Sequence, residues 1–233
     1  MTGKIVKHII VNGQTISLAI RRSPRARRLA LRVDSTIGGA ELILPKSVSE
    51  YEGLDFVTRR AAWLLGKLDQ LPLRTPFHDG AVLPIGGVNC VIRHAPKITR
   101  SVKLEDGVLN VGGTDDHVAR RVRDWLRREA RDAITPLAWE KARVIASKPD
   151  RISIRDQRSR WGSCSHKGGL SFNWRLILAP PMVLDYVVAH EAAHLREMNH
   201  APAFWAVVDQ LTDHATAGRH WLKINGARLH SYG

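Results

Sequence analysis

Between Val183 and Leu195 the only residues with polar groups are Asp185, Tyr186, His190, Glu191 and His194. A helix of that composition is apolar on nearly every side, and it is stable only where other elements cover most of its circumference. The chain must therefore build a core around this segment. Ala192 and Ala193 suit close packing there, and Pro180-Pro181 suits the first turn, where a proline costs no hydrogen bond. Residues four apart project from one face of a helix, so His190 and His194 can aim two imidazole nitrogens at one point with Glu191 beside them. His-Glu-x-x-His on a helix is the pattern of a metal site with a built-in base.

His200 lies six residues beyond His194. Along a continuous helix that step turns through about 240° past a full revolution, so the helix has to stop before His200 can reach the same ion. Met198-Asn199 is the expected stop, because asparagine tolerates the left-handed conformation that ends helices and Pro202 opposes continuation. Glu197, Asp209, Asp213, His214, His220 and His230 are the other downstream candidates, none with a comparable spacing. Three neutral imidazoles would leave one zinc ion its full charge and an open position for a water, whose pKa falls to about 7 on zinc. Glu191 would then carry that water's proton to a leaving amine. A closed structural zinc site is the competing reading, but it has no need of Glu191 and fills all four positions with protein ligands.

Ahead of this region the chain reads as strands. Asn12-Gly13, Gly86-Gly87 and Asp106-Gly107 each separate two alternating or β-branched runs, the signature of tight hairpins. Leu29, Leu31 and Val33 alternate with Arg28, Ala30 and Arg32, which predicts one buried face and one face of guanidinium groups. One helix interrupts the strands, with Ser47 and Glu50 as an expected capping box and apolar residues at helical spacing from Val48 to Leu68. From Thr114 the period changes. Val118, Val122, Trp125, Leu126 and Ile134 trace a long helix with Arg120, Arg121, Arg123, Arg127, Arg128 and Arg131 outside, and Pro136 is expected to bend it. A strand through Ile152 and Ile154, a polar loop from Arg158 to Lys167 and a strand from Leu170 to Ile177 lead to the metal helix. Two helices follow, Phe204 to Leu211 and about Gly218 to Leu229. No internal repeat is evident. The resulting expectation is an α+β chain with a basic, β-hairpin-rich region over residues 1–113 and a metal-binding domain over residues 114–233.

Cys90 and Cys164 are far apart and form no C-x-x-C pair, which argues for reduced thiols and against a disulfide framework or a thiolate zinc ribbon. No apolar run is long enough for a membrane span, and no secretory signal is evident, so a cytoplasmic location is expected. The formal net charge of +14 is shared by both halves of the chain and predicts attraction to polyanions such as DNA or RNA.

Longer motifs add a resemblance. Arg155-Asp156-Gln157-Arg158-Ser159-Arg160-Trp161-Gly162-Ser163-Cys164, then Leu170 to Leu176, then His190-Glu191 through Asn199-His200 and Phe204-Trp205 resemble the YgjP-like metallopeptidase family, whose relatives include SprT-like and WLM zinc metalloproteases. The resemblance spans nearly the whole chain. It implies a zincin-like fold with His190, His194 and His200 as zinc ligands, Glu191 as catalytic acid and base, and a peptide or protein as substrate. The strand from Gly169 to Arg175 would line the cleft as a zincin edge strand does. Arg158, Arg160, Asn173, Arg175, Tyr186 and His214 are the candidate substrate-binding residues, and Trp161 is expected to brace the fold. Ala192 and the pair Asp213-His214 depart from the family's usual residues, which leaves open whether His214 assists the carbonyl oxygen or caps a helix. Two other functions are consistent with the residues: a metal-dependent nucleoside triphosphate phosphohydrolase, and a nucleic-acid-binding protein gripping phosphates through its arginines.

Overall fold

The computed structural model describes residues 5–34, 38–97, 101–157 and 160–233, which form two compact units, Met1–Arg74 and Thr75–Gly233. The protein is α+β, with sheets in its N-terminal part and a C-terminal helical region that holds the histidines.

The first unit is a sheet of β1 (Ile5–Val11), β2 (Gln14–Ser23), β3 (Ala30–Asp34) and β4 (Gly39–Pro45), followed by the helices α1 (Glu50–Arg59) and α2 (Ala61–Asp69). Asn12 and Gly13 have φ of 46° and 79°, the left-handed pair that a tight hairpin needs. The strand order is β1-β2-β4-β3, and β2 runs parallel to β4, so the sheet is mixed where hairpin signals alone suggested an antiparallel one. Leu29, Leu31 and Val33 pack on the core of Leu18, Leu42, Leu44, Val57 and Leu64, while Arg28 and Arg32 are exposed, as the alternation predicts. The capping box is Ser49 with Glu52, two residues later than expected. Ser47 sits instead in the turn after β4, where the Val48 N–H bonds to the Pro45 carbonyl. The expected single helix is broken at Arg60, whose ψ of 13° leaves the helical range.

The second unit opens with β5 (Val82–Ile85), β6 (Val88–His94), β7 (Val102–Glu105) and β8 (Val108–Val111). Their order, β5-β6-β8-β7, with β6 parallel to β8, repeats the topology of the first sheet. No residue-by-residue likeness announces that repeat. Phe77, Leu83, Ile92, Leu109 and Val111 share one core with Val122, Leu126, Phe172, Trp174, Val183 and Leu229. Residues 75–113 therefore belong to the same compact unit as the histidine region, whereas the sequence grouped them with the N-terminal part. Hairpin signals are local, and they carry no information about which core a sheet joins.

After a 3-10 turn over Asp115–His117, α3 (Val118–Val144) runs 27 residues and continues through Pro136. A three-stranded sheet follows: β9 (Arg151–Arg155), β10 (Gly162–Cys164) and β11 (Gly169–Asn173), in the order β10-β11-β9. β11 is central, antiparallel to β10 and parallel to β9. The expected edge strand is thus paired on both sides, and β10, read as loop in the sequence, forms the edge. The strand also ends at Asn173, since Trp174–Leu178 is a 3-10 turn capped by the Asn173 side chain, which accepts the Arg175 N–H. Then come α4 (Pro181–Ala193), α5 (Pro202–Leu211) and α6 (Ala215–His230). α4 contributes Val183, Leu184, Val187 and Val188 to the large core and Ala189, Ala192 and Ala193 to a second cluster with Ile145, Phe204, Val207 and Val208. Coverage on two sides is what its all-round apolar sequence required. No helix among the described residues is long and apolar enough to cross a membrane.

Candidate metal centre

α4 ends at Ala193 with His194 as its C-cap, and a turn over residues 194–196 redirects the chain. The stop comes earlier than the expected Met198-Asn199. Asn199 is not left-handed, and its side-chain oxygen accepts the Ala201 N–H at 3.1 Å to start α5. The consequence for His200 is the expected one: its Nε2 lies 3.1 Å from Nε2 of His190, and the ligand atoms of His190, His194 and His200 all lie within 4.8 Å of one another.

The geometry and protonation of this cluster fit a metal ion. Nitrogens bound to one tetrahedral ion at 2.0–2.1 Å sit about 3.3 Å apart. The half-buried His190 is held down to a pKa of about 4, first by desolvation and then by His194, His200 and Arg219, so its ring is neutral at neutral pH. Burial also lowers His194. The 3.1 Å between the His190 and His200 Nε2 atoms is a separation that either a shared proton or a shared cation bridges. His194 donates from Nδ1 to the Glu197 carbonyl at 2.9 Å, which leaves its Nε2 as the ligand atom and orients the ring. The three histidines can therefore hold a metal ion, with nitrogen donors suited to zinc and its neighbours in the transition series.

An aromatic wall supports the ligands. Phe204, fully buried, has its ring centroid 4.9, 4.5 and 4.8 Å from those of His190, His194 and His200. Trp205 packs beside His190 and His200, and the Arg219 guanidinium lies 5.5 Å from the Trp205 ring centre. Arg219 escaped the sequence reading because it is 19 residues from His200 and has no motif of its own; only packing of α6 against α4 brings it near.

Glu191 is 7% exposed, and burial raises its carboxyl to about 7, with Arg160 pulling the other way. β10 closes over it. A Cβ added to Gly162 would lie 2.4 Å from Cγ and 2.6 Å from Oε1 of Glu191, so only glycine allows this approach. Gly218 plays the same part for α6, where a Cβ would come within 2.6 Å of Cβ of Tyr186. A pocket of about 270 Å³ is lined by Arg160, Trp161, Gly162, Tyr186, Val187, His190, Glu191 and Leu222. Burial raises the Tyr186 phenol against the opposing charge of Arg219, so the hydroxyl stays protonated at neutral pH.

Of the sequence candidates, the fold brings Arg160 and Tyr186 to this pocket with His190 and Glu191. It does not bring Asn173, Arg175 or His214 there. Asn173 is fully buried, donating from Nδ2 to the Gln157 carbonyl and accepting the Arg175 N–H. Arg175 is buried on the Trp174 ring, donates to the Tyr232 carbonyl and pairs with Asp156. His214 is exposed at the N-cap of α6 and is not among the lining residues. Arg158 lies outside the described residues. Trp161 stacks on His230 at 4.4 Å, a bracing contact. Cys164 has its thiol raised to about 11 by burial and by Glu191, which removes it as a nucleophile at neutral pH.

The YgjP-like metallopeptidase domain model matches residues 27–225. No curated protein matches the chain. Among solved structures, the crystal structure of the metallopeptidase zymogen of Pyrococcus abyssi abylysin aligns with 21% identity and a TM-score of 0.34, covering 40% of this chain and 95% of that one. With the motif residues and the histidine cluster in place, a family model spanning most of the chain settles its kinship: the chain belongs to the YgjP-like metallopeptidase family.

Proposed function

We propose that this protein is a zinc-dependent metallopeptidase that hydrolyses peptide bonds with Glu191 as its acid and base. The observation that carries the reading is a carboxyl held near pKa 7 by burial, one residue from His190 and facing the pocket that His190 also lines. A group with that pKa can both accept and return a proton near neutral pH. Held by His190, His194 and His200, zinc would supply Lewis acidity to the scissile carbonyl and the attacking water.

The chain's own residues supply the rest. Glu191 takes the water's proton on a carboxylate oxygen and delivers it to the leaving amine nitrogen. Gly162 and the walls of the pocket limit water around that carboxyl. Tyr186 offers a neutral hydroxyl donor to the developing oxyanion, and Arg160 holds a positive charge at the mouth. The edge of β10, whose Gly162 touches Glu191, is the place where an extended peptide can add by main-chain pairing.

The test is metal content by elemental mass spectrometry on protein purified without chelator or affinity metal, followed by turnover of a peptide library and of nucleoside triphosphates. About one zinc per chain, peptide cleavage, and Glu191→Gln retaining zinc with turnover nearly abolished are expected. Triphosphate hydrolysis without peptide cleavage, or substantial turnover in Glu191→Gln, overturns the reading.

A further inference from the structure

The sheet β10-β11-β9 has two unlike faces. Ile152, Ile154, Leu170 and Phe172 turn into the core. Strand pairing aligns Ser163 with Ser171 and Ser171 with Ser153, so the opposite face carries a row of three hydroxyls across all three strands. Arg151 and Arg155 flank that row on β9, and Arg160 stands at the approach to β10. Together they line a trench of about 390 Å³ to which no acidic and no aromatic residue contributes. Arg160 also lines the pocket of Glu191 and His190, so trench and pocket share this residue.

The polar groups of the trench are only partly used. Ser153 donates to the Leu170 carbonyl, Arg155 Nε donates to Ser153, and the Gln157 amide donates to Ser163. The Ser171 hydroxyl and the Gln157 side-chain oxygen are buried without a partner. Among the described residues no carboxylate pairs with Arg151, Arg155 or Arg160. The nearby Asp156 is occupied by Arg175 and Arg127. Three guanidinium groups without a carboxylate partner along one trench call for an anionic occupant.

We propose that this trench docks an acidic segment of the polypeptide substrate, so that the enzyme prefers substrates rich in carboxylate side chains. The proposal deepens the peptidase reading and rests on it. Ser163 lines the trench while the neighbouring Gly162 faces Glu191, and Arg160 lines both cavities, so the trench begins one residue along β10 from the catalytic carboxyl. The missing aromatic residues disfavour single-stranded nucleic acid, whose bases would find nothing to stack on.

The test is fluorescence anisotropy with full-length, zinc-loaded Glu191→Gln protein, which keeps the site but does not consume the peptide. The probes are a labelled glutamate-rich peptide, its glutamine counterpart, and an oligothymidylate of matched charge. Two exposed ion pairs predict up to about tenfold tighter binding of the acidic peptide. Adding Arg151→Glu and Arg155→Glu, both exposed positions, should abolish or invert that preference. Adding Arg27→Glu and Arg28→Glu, an equal charge change on another exposed surface, should leave it intact. Equal binding of the two peptides, or equal loss in both double variants, overturns the proposal. So does an oligothymidylate that binds more tightly than the acidic peptide and is released by the β9 reversals. Because binding is read without turnover, absence of peptide cleavage by the wild type would count against the peptidase reading alone.

Discussion

Gly162→Ala tests the contact between β10 and the catalytic carboxyl. The φ of Gly162 is not in the left-handed region, so alanine meets no backbone penalty, and the whole effect must come from the new methyl group. That carbon would lie 2.4, 2.6 and 2.7 Å from Cγ, Oε1 and Cδ of Glu191. Carbon atoms in comfortable contact sit at about 3.5 Å, so strand and carboxyl must separate by about 1 Å. Overpacking of that kind costs about 1–3 kcal/mol, to be read as a lower urea midpoint at unchanged slope. A base displaced by about 1 Å costs on the order of a hundredfold in kcat for peptide hydrolysis. Zinc content should be unchanged, since His190, His194 and His200 are not touched by the new methyl. A variant with wild-type midpoint and wild-type kcat would refute the argument that β10 is clamped against Glu191.

Three further perturbations give distinct readouts. In metal-free protein the Glu191 carboxyl titrates at about 7 when folded and near 4.5 when unfolded. Its contribution to stability is therefore present below about pH 4.5 and is lost as pH rises through 7; the loss amounts to about 3 kcal/mol. Urea unfolding of wild type against Glu191→Gln across pH 4.5–7.5 should show that difference, while the opposite trend of His190 is common to both proteins and cancels; a pH-independent difference would count against the raised carboxyl. Lys141→Met removes the buried ammonium that pairs with Asp185 at 2.6 Å and donates to the Leu211 carbonyl at 2.8 Å, joining α3 to α4 and the end of α5. It should cost about 3 kcal/mol in denaturant unfolding, since the partner charge is left uncompensated. Gly66→Ala, in the exposed interior of α2 with no atom within 4 Å of the new Cβ, should stabilise by about 0.5–1 kcal/mol in the same assay, and any destabilisation there would show that α2 packs differently.

Much of this protein was legible in its sequence wherever the relevant physics is local. Glycine-bearing turn pairs set the three hairpins, helical periodicity set α3, and four-residue spacing on an apolar helix set His190 and His194 beside Glu191. The break before His200 was required by the angle per residue, although the helix ended nearer to His194 than the asparagine signal suggested. Errors fell where a choice depended on partners distant in the chain. β10 is three residues long and polar, too short for alternation to register, yet it forms the sheet edge beside the site. Asn173 and Arg175 look like cleft residues in a motif, but buried carbonyls and Asp156 take up their hydrogen bonds. Phe204 at the ligands, Gly162 against Glu191, Gly218 against Tyr186 and Arg219 over Trp205 are contacts between elements that sequence spacing does not encode. Sequence alone determined which groups could bind a metal and which could carry a proton, because those depend on residue type and helical pitch. Tertiary structure decided that the carboxyl is buried enough to titrate near 7, that arginines flank the serine row of the β9 face, and which strand ends the sheet beside the carboxyl, because desolvation and strand order arise only when distant segments pack together.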